Sequence, residues 1–174
     1  MLKTDDRERN DVYPELRFYL ALVCGMYALM LAKRLIDGPY VEAMLLADEV
    51  RAYFDEIGRE ARDALEPMDR VVFSCASLKV TTRLMHVIAW LLTQRAVEVG
   101  ELTVEGARKP LRRLGGAVET DAVTLGRLPP QARQFVEASI ELHRRVARIE
   151  AGSDEALPAA SPARQLQNRL QRAF

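Results

Sequence analysis

The stretch Met68-Asp69-Arg70-Val71-Val72-Phe73-Ser74-Cys75-Ala76-Ser77-Leu78-Lys79-Val80-Thr81-Thr82-Arg83-Leu84-Met85-His86-Val87-Ile88-Ala89-Trp90-Leu91-Leu92-Thr93-Gln94-Arg95-Ala96-Val97-Glu98-Val99 decides the fold. It reads as one long helix. Pro67 stands just before it, where a missing N–H costs least; Asp69 puts an acid in the first turn; Gly100 follows as a left-handed stop. Heptad counting finds two apolar seams. Phe73, Val80 and Val87 alternate with Ser77, Leu84 and Leu91 in 4-3 spacing, and Val71, Leu78, Met85, Leu92 and Val99 alternate with Cys75, Thr82, Ala89 and Ala96. At 100° per residue the seams merge into an apolar arc of roughly 200°, wider than a surface helix needs against a single core. Such a helix must be covered twice: by its own bundle, and by a fourth helix or a second copy of the chain. Leu78, Met85 and Leu92 are the expected contacts of that second seam. The remaining polar sector holds Lys79, Arg83, His86, Thr93 and Gln94, with Trp90 at its edge.

The same helix carries a family resemblance. Ser77-Leu78-Lys79-Val80-Thr81-Thr82-Arg83-Leu84-Met85 and Ala89-Trp90-Leu91-Leu92-Thr93-Gln94-Arg95-Ala96-Val97 resemble the signature helix of the RcdA family, the bacterial regulators of CtrA degradation. The likeness extends less densely from Ile36 to Ile149. Periodicity alone implies a self-associating helical bundle. The resemblance implies more: a non-enzymatic adaptor in regulated proteolysis and cell-cycle control, handing protein cargo to the AAA+ protease ClpXP together with a response-regulator partner.

Working outward, Glu66-Pro67 is a short turn that makes the preceding helix an antiparallel neighbour. That helix, Tyr40 to Leu65, carries Ala43, Ala47, Val50, Phe54, Ile57, Ala61 and Ala64 in 4-3 alternation, with a charged face opposite and Gly58 weakening its last turns. Asp37-Gly38-Pro39 predicts a break before it. Upstream, Phe18 to Ala32 runs fifteen residues without a charge, flanked by Arg17, Lys33 and Arg34. At 1.5 Å per residue this spans about 22 Å, short of the roughly 30 Å hydrocarbon core. The run is read as an additional helix packed on the bundle or in a dimer contact, with membrane association as the alternative. Proteins of the resembled family begin near the position of Ile36, so the extension departs from them. Met1 to Tyr13 is charged, unpatterned and expected to fray.

Downstream, Thr103 caps a short helix limited by Pro110, and Gly115-Gly116 leads into an irregular crossover packed by Val118, Val123 and Leu125. A connection of that length carries function more often than a short one. Pro129-Pro130 opens a last bundle helix, Gln131 to Glu150, with Phe135, Ser139, Leu142, Val146 and Ile149 inward. Its basic cluster His143, Arg144, Arg145 and Arg148 falls in the final turns, where it complements the helix dipole. Ala151 to Ala163 is a Gly-, Ser-, Pro- and Ala-rich linker, and Leu166, Leu170 and Phe174 form a short motif suited to a partner's groove.

The expected fold is therefore all-α: an antiparallel three-helix bundle over residues 37–150, an N-terminal extension over 1–36 with its hydrophobic helix, and a flexible tail over 151–174. Equal numbers of acids and bases, 25 each, give no concentrated positive field, so no nucleic-acid partner is expected. No phosphate loop, HExxH, CxxC, GxSxG or EF-hand pattern occurs, and neither catalytic residues nor cofactor or metal is expected. His86 raises histidine phosphotransfer, but Val87 follows where an acid would be wanted, and a structural or interface histidine is the simpler reading. Arg95, on the apolar side, needs a carboxylate, and Cys24 and Cys75 read as buried reduced thiols of a cytoplasmic protein. A polar or membrane-associated pool is the alternative location. The expected partner-binding residues are Lys79, Arg83, His86 and Gln94 on the bundle and Leu166, Leu170 and Phe174 on the tail, acting in a homodimer. The competing class is a helical scaffold unrelated to proteolysis, tethered through residues 18–32.

Overall fold

The computed structural model describes residues 14–155, and every regular element among them is helical. In chain order these are α1 (Pro14–Ala52), a π turn (Tyr53–Ile57), α2 (Arg59–Asp63), α3 (Pro67–Glu98), α4 (Val104–Ala107), a 3-10 turn (Pro110–Arg112), α5 (Ala122–Gly126) and α6 (Pro130–Glu155). The long helices α1, α3 and α6 pack on one another around a single core.

The ends of α3 follow from its sequence. Pro67 is its first residue, and Gly100 adopts φ +78°. The Glu101 N–H donates to Ala96 O at 2.9 Å and the Gly100 N–H to Val97 O at 3.1 Å. This paired closure returns two of the orphan carbonyls to hydrogen bonds and needs a left-handed residue at position 100. The first seam enters the core: Phe73, Val80, Leu84, Val87 and Leu91 are all buried. They meet Ile36, Ala43 and Val50 from α1, Phe54 from the π turn, and Val136, Leu142 and Val146 from α6. Burial of a Val, Leu or Phe side chain contributes roughly 1.5–3 kcal/mol.

Side-chain ties give the helix directions. Asp37 meets Arg95 and Phe54 meets Phe73, so α1 and α3 run antiparallel. Glu42 pairs with Arg145, and the Tyr53 ring, just past the end of α1, lies tilted against that of Phe135, so α1 is antiparallel to α6 as well. It follows that α3 and α6 run parallel. That is why the connection between them is long: the chain must return from the end of α3 to its beginning before α6 can start.

The expected break at Asp37-Gly38-Pro39 is not there. α1 runs unbroken through Pro39, so the hydrophobic run and the first bundle helix are one rod. Pro39 removes one helical hydrogen bond, but Ile36 and Ala43 on either side are buried in the core, and Arg95 lies over the Tyr40 ring at 4.6 Å. Tertiary packing outweighs the local breaker. Asp37 lies level with Arg95, one turn before the end of α3, so the preceding part of α1 extends beyond that end. Met26, Tyr27 and Met30 are exposed there.

The expected helix to Leu65 breaks instead at the π turn. Tyr53 and Phe54 are adjacent and both buried, with ring centroids 5.3 Å from Phe135 and 4.9 Å from Phe73 respectively. The extra residue of a π turn lets neighbouring side chains share one face, and the i to i+5 bond is the Gly58 N–H to Tyr53 O at 2.7 Å. It also resets the phase. Ile57, expected inward, is exposed, and Ala64 with it. A Cβ on Gly58 would lie 2.9 Å from Tyr53 O, so the glycine permits the closure.

α6 continues to Glu155, past the expected end near Glu150. Val118 and Val123 do not pack the crossover, for both are exposed; Leu128 and Ala107 are the buried crossover residues, with Leu114 and Leu125 packed against the core. Cys75, expected buried, is exposed on the second seam. Of the described helices, α3 is the one long and apolar enough by composition to cross a bilayer, with 33% of its most apolar window buried inside the bundle. The expectations for Met1 to Tyr13, for the linker after Glu155 and for Leu166, Leu170 and Phe174 lie outside the described residues.

Candidate protein-interaction surface

α3 presents two different faces to the rest of the molecule. On the face opposite the core, Leu78, Met85 and Leu92 are 68%, 64% and 46% exposed, and Val71, Cys75, Thr82, Ala89 and Val99 accompany them in the open. Positions 71, 75, 78, 82, 85, 89, 92, 96 and 99 keep strict 4-3 spacing along the whole rod. Strips of that spacing and length form the seams of helix-on-helix interfaces in coiled coils. No described element covers it. Alongside, α1 contributes the exposed Val41, Met44 and Leu45, and a cavity of about 370 Å³ opens between the two helices, lined by Ala47, Asp48, Arg51, Thr81, Met85 and Ile88. Contiguous exposed apolar surface marks a site of protein or membrane contact.

The polar sector expected to face partners has another occupant. Lys79 Nζ donates to Glu119 O at 3.2 Å, and Arg83 Nη2 donates to Val118 O at 2.8 Å. His86 packs so closely on Gly115 that a Cβ there would lie 2.4 Å from its Nδ1. Gln94 lines a small cavity with Trp90, Arg108 and Glu150 under the start of the crossover. From the other side His143 Nε2 donates to Gly115 O at 2.8 Å, and the Leu114 N–H donates to Glu150 Oε1 at 2.9 Å. The residues read from sequence as an outward docking face are the clasp that holds this chain's own crossover. The basic cluster on α6 is corrected in the same way: it lies more than a turn from the helix end, where dipole compensation has faded, and His143 and Arg145 serve tertiary contacts.

Arg83 is the largest departure. Expected outward, it is 1% exposed. Its Nη1 donates to Ser139 Oγ at 2.6 Å, a hydroxyl itself buried and donating to Val136 O. Burial pulls the guanidinium below its ordinary pKa, and no described carboxylate lies within ion-pair distance. A buried cation without a counter-charge costs several kcal/mol. Arg95, by contrast, finds the expected carboxylate in Asp37 at 3.5 Å, though both are partly exposed. Ser74 donates its hydroxyl to Arg70 O, one turn back, at 3.0 Å. His86 keeps its Nδ1 buried beneath the crossover.

Sequence reasoning missed Ser139 as a partner of Arg83 and missed the carbonyls of Val118 and Glu119 as acceptors for Arg83 and Lys79. A long crossover containing Gly115-Gly116 was the available signal. It pointed to function without saying that the contacts would be internal.

Residues 28–174 match the family described as "Protein of unknown function (DUF1465)". In the comparison with curated proteins nothing matches. Among solved structures, the crystal structure of RcdA from Caulobacter crescentus CB15 is similar at 32% sequence identity with a TM-score of 0.56, covering 73% of this chain and 93% of that one. With identity at that level over nearly the whole of the other protein, the chain belongs to the RcdA family, DUF1465.

Proposed function

We propose that this protein is a non-enzymatic adaptor of regulated proteolysis, acting in the cytoplasm as a homodimer that brings protein cargo to a ClpXP-type AAA+ protease with a response-regulator partner. The observation that carries the reading is the uncovered 4-3 seam of α3: a rod with Leu78, Met85 and Leu92 in the open is suited to gripping another polypeptide. Membership of the RcdA family supplies the direction toward proteolysis. Self-association on this strip follows the logic of an isologous interface, the same patch meeting itself about a two-fold axis. The tail residues Leu166, Leu170 and Phe174 serve as a tethered contact for the protease.

Native affinity capture of the full chain tests the reading. It predicts co-purification of protease subunits, and slowed turnover of at least one client when Ala163 to Phe174 is deleted. Unchanged turnover of every client in the deletion strain, with no protease captured, sinks it. Sedimentation of the Met85→Glu variant tests the dimer separately: the expected result is a folded monomer, and a variant that still sediments as a dimer moves the interface elsewhere. A second reading, a scaffold unrelated to proteolysis, draws on the exposed Met26, Tyr27 and Met30 on the projecting part of α1. A membrane pool that disappears when residues 1–35 are removed would favour it.

A further inference from the structure

A cavity of about 350 Å³ opens beside the crossover where it passes over α3 and α6. Arg83, Arg144, His143 and Thr120 are among its lining residues, with Glu119 as the acid among them. Two independent features of these walls are unexplained by the fold. Arg83 Nε is buried and unpartnered among the described residues, and so is Thr120 Oγ1. Arg83 uses two of its donors, on Ser139 Oγ and Val118 O, both neutral acceptors, so its charge is uncompensated. His143 is committed through Nε2 to Gly115 O, which leaves its other ring nitrogen uncommitted.

The structure assigns to this cavity the binding of a single oxyanion, a carboxylate or phosphate group, held by Arg83 and Arg144 with Thr120 donating its hydroxyl. A planar guanidinium fits two oxygens of such a group side by side, and an anion there would compensate the charge that burial has left without a partner. The cavity is many times the roughly 30 Å³ share of one water, so a polyatomic anion fits. Because the Val118 carbonyl of the crossover is held by the same Arg83, an anion in the cavity also firms the clasp. The inference rests on the cavity and its donors, and it stands whether or not the protein serves proteolysis.

The test is thermal melting and calorimetric titration of the full chain with sodium phosphate and, separately, with sodium succinate, each against sodium chloride at equal ionic strength. A saturable rise in melting temperature with either anion, absent in chloride, is expected. A response to phosphate alone identifies a free phosphate-type ligand, and a response to succinate alone identifies a carboxylate, as an acidic side chain would present. Arg144→Ala should weaken binding at least tenfold and Thr120→Val about threefold, while Glu119→Gln strengthens it. Arg144 and Glu119 are exposed, so their variants should melt as the parent does without anion. No saturable shift with either anion, or Arg144→Ala and Thr120→Val variants that bind like the parent, overturns the assignment.

Discussion

The two apolar seams of α3 share one 4-3 spacing on one rod, and they meet opposite fates. Phe73, Val80, Leu84, Val87 and Leu91 are buried, while Val71, Leu78, Met85, Leu92 and Val99 are exposed. The difference lies in what α1 and α6 happen to reach. α1 and the π turn after it cover one flank through Ala43, Val50 and Phe54, and α6 the other through Val136, Leu142 and Val146. A 4-3 apolar strip therefore states that a surface wants covering; it does not state by what. One seam holds the domain together and the other is available for association.

That contrast can be broken experimentally, most strongly at the inner seam. Leu91→Ala should cost about 2–5 kcal/mol in urea unfolding, the range for emptying a filled core position. A cost below about 1 kcal/mol would mean that the inner seam is not the core.

The next effect concerns the clasp. Gly115→Ala should cost about 1–3 kcal/mol, as overpacking does, because the new Cβ would lie 2.4 Å from His86 Nδ1. Adding His86→Ala should recover most of that loss in a double-mutant cycle. Failure to recover would show that the crossover, not the ring, resists the methyl group.

The outer seam should respond least among apolar sites. Leu78→Gln and Leu92→Gln should each change the unfolding free energy of the monomer by no more than about 0.5 kcal/mol, measured at protein concentrations low enough to exclude association. A loss like that of Leu91→Ala would erase the distinction between the faces.

The smallest effect is at Asp121, which caps α5 by accepting from the Thr124 N–H at 2.8 Å and from its hydroxyl at 2.7 Å. These bonds hold its carboxyl below the usual carboxylate range. A depressed folded value means that the stabilisation is present above the unfolded pKa, about 3.9, and is lost as pH falls through the folded one. Asp121→Asn should therefore slightly flatten the acid limb of a stability-against-pH curve; an unchanged limb would show that the cap contributes nothing.

The all-helical class, the ends of α3 and the existence of two apolar seams were legible in the sequence. Pro67 and Gly100 act through their own backbone chemistry, and a 4-3 repeat survives in any tertiary context. The break at Asp37-Gly38-Pro39 was read from equally local rules and did not form, because burial of Ile36 and Ala43 against α3 outweighs one lost hydrogen bond. The phase slip at Tyr53 and Phe54 was invisible for the complementary reason. Its cause is a ring cluster with Phe73 and Phe135, which lie in other helices.

By itself the sequence determined that this chain makes long helices with more apolar surface than one bundle can hide, since periodicity and caps are properties of neighbours in the chain. Only the tertiary structure decided that α3 and α6 run parallel, that the crossover must return the full length of the bundle, and that Lys79, Arg83 and His86 face it. Those residues look outward on a helical wheel. A wheel records angle about one axis, and whether an angle meets solvent or another segment is set by elements tens of residues away.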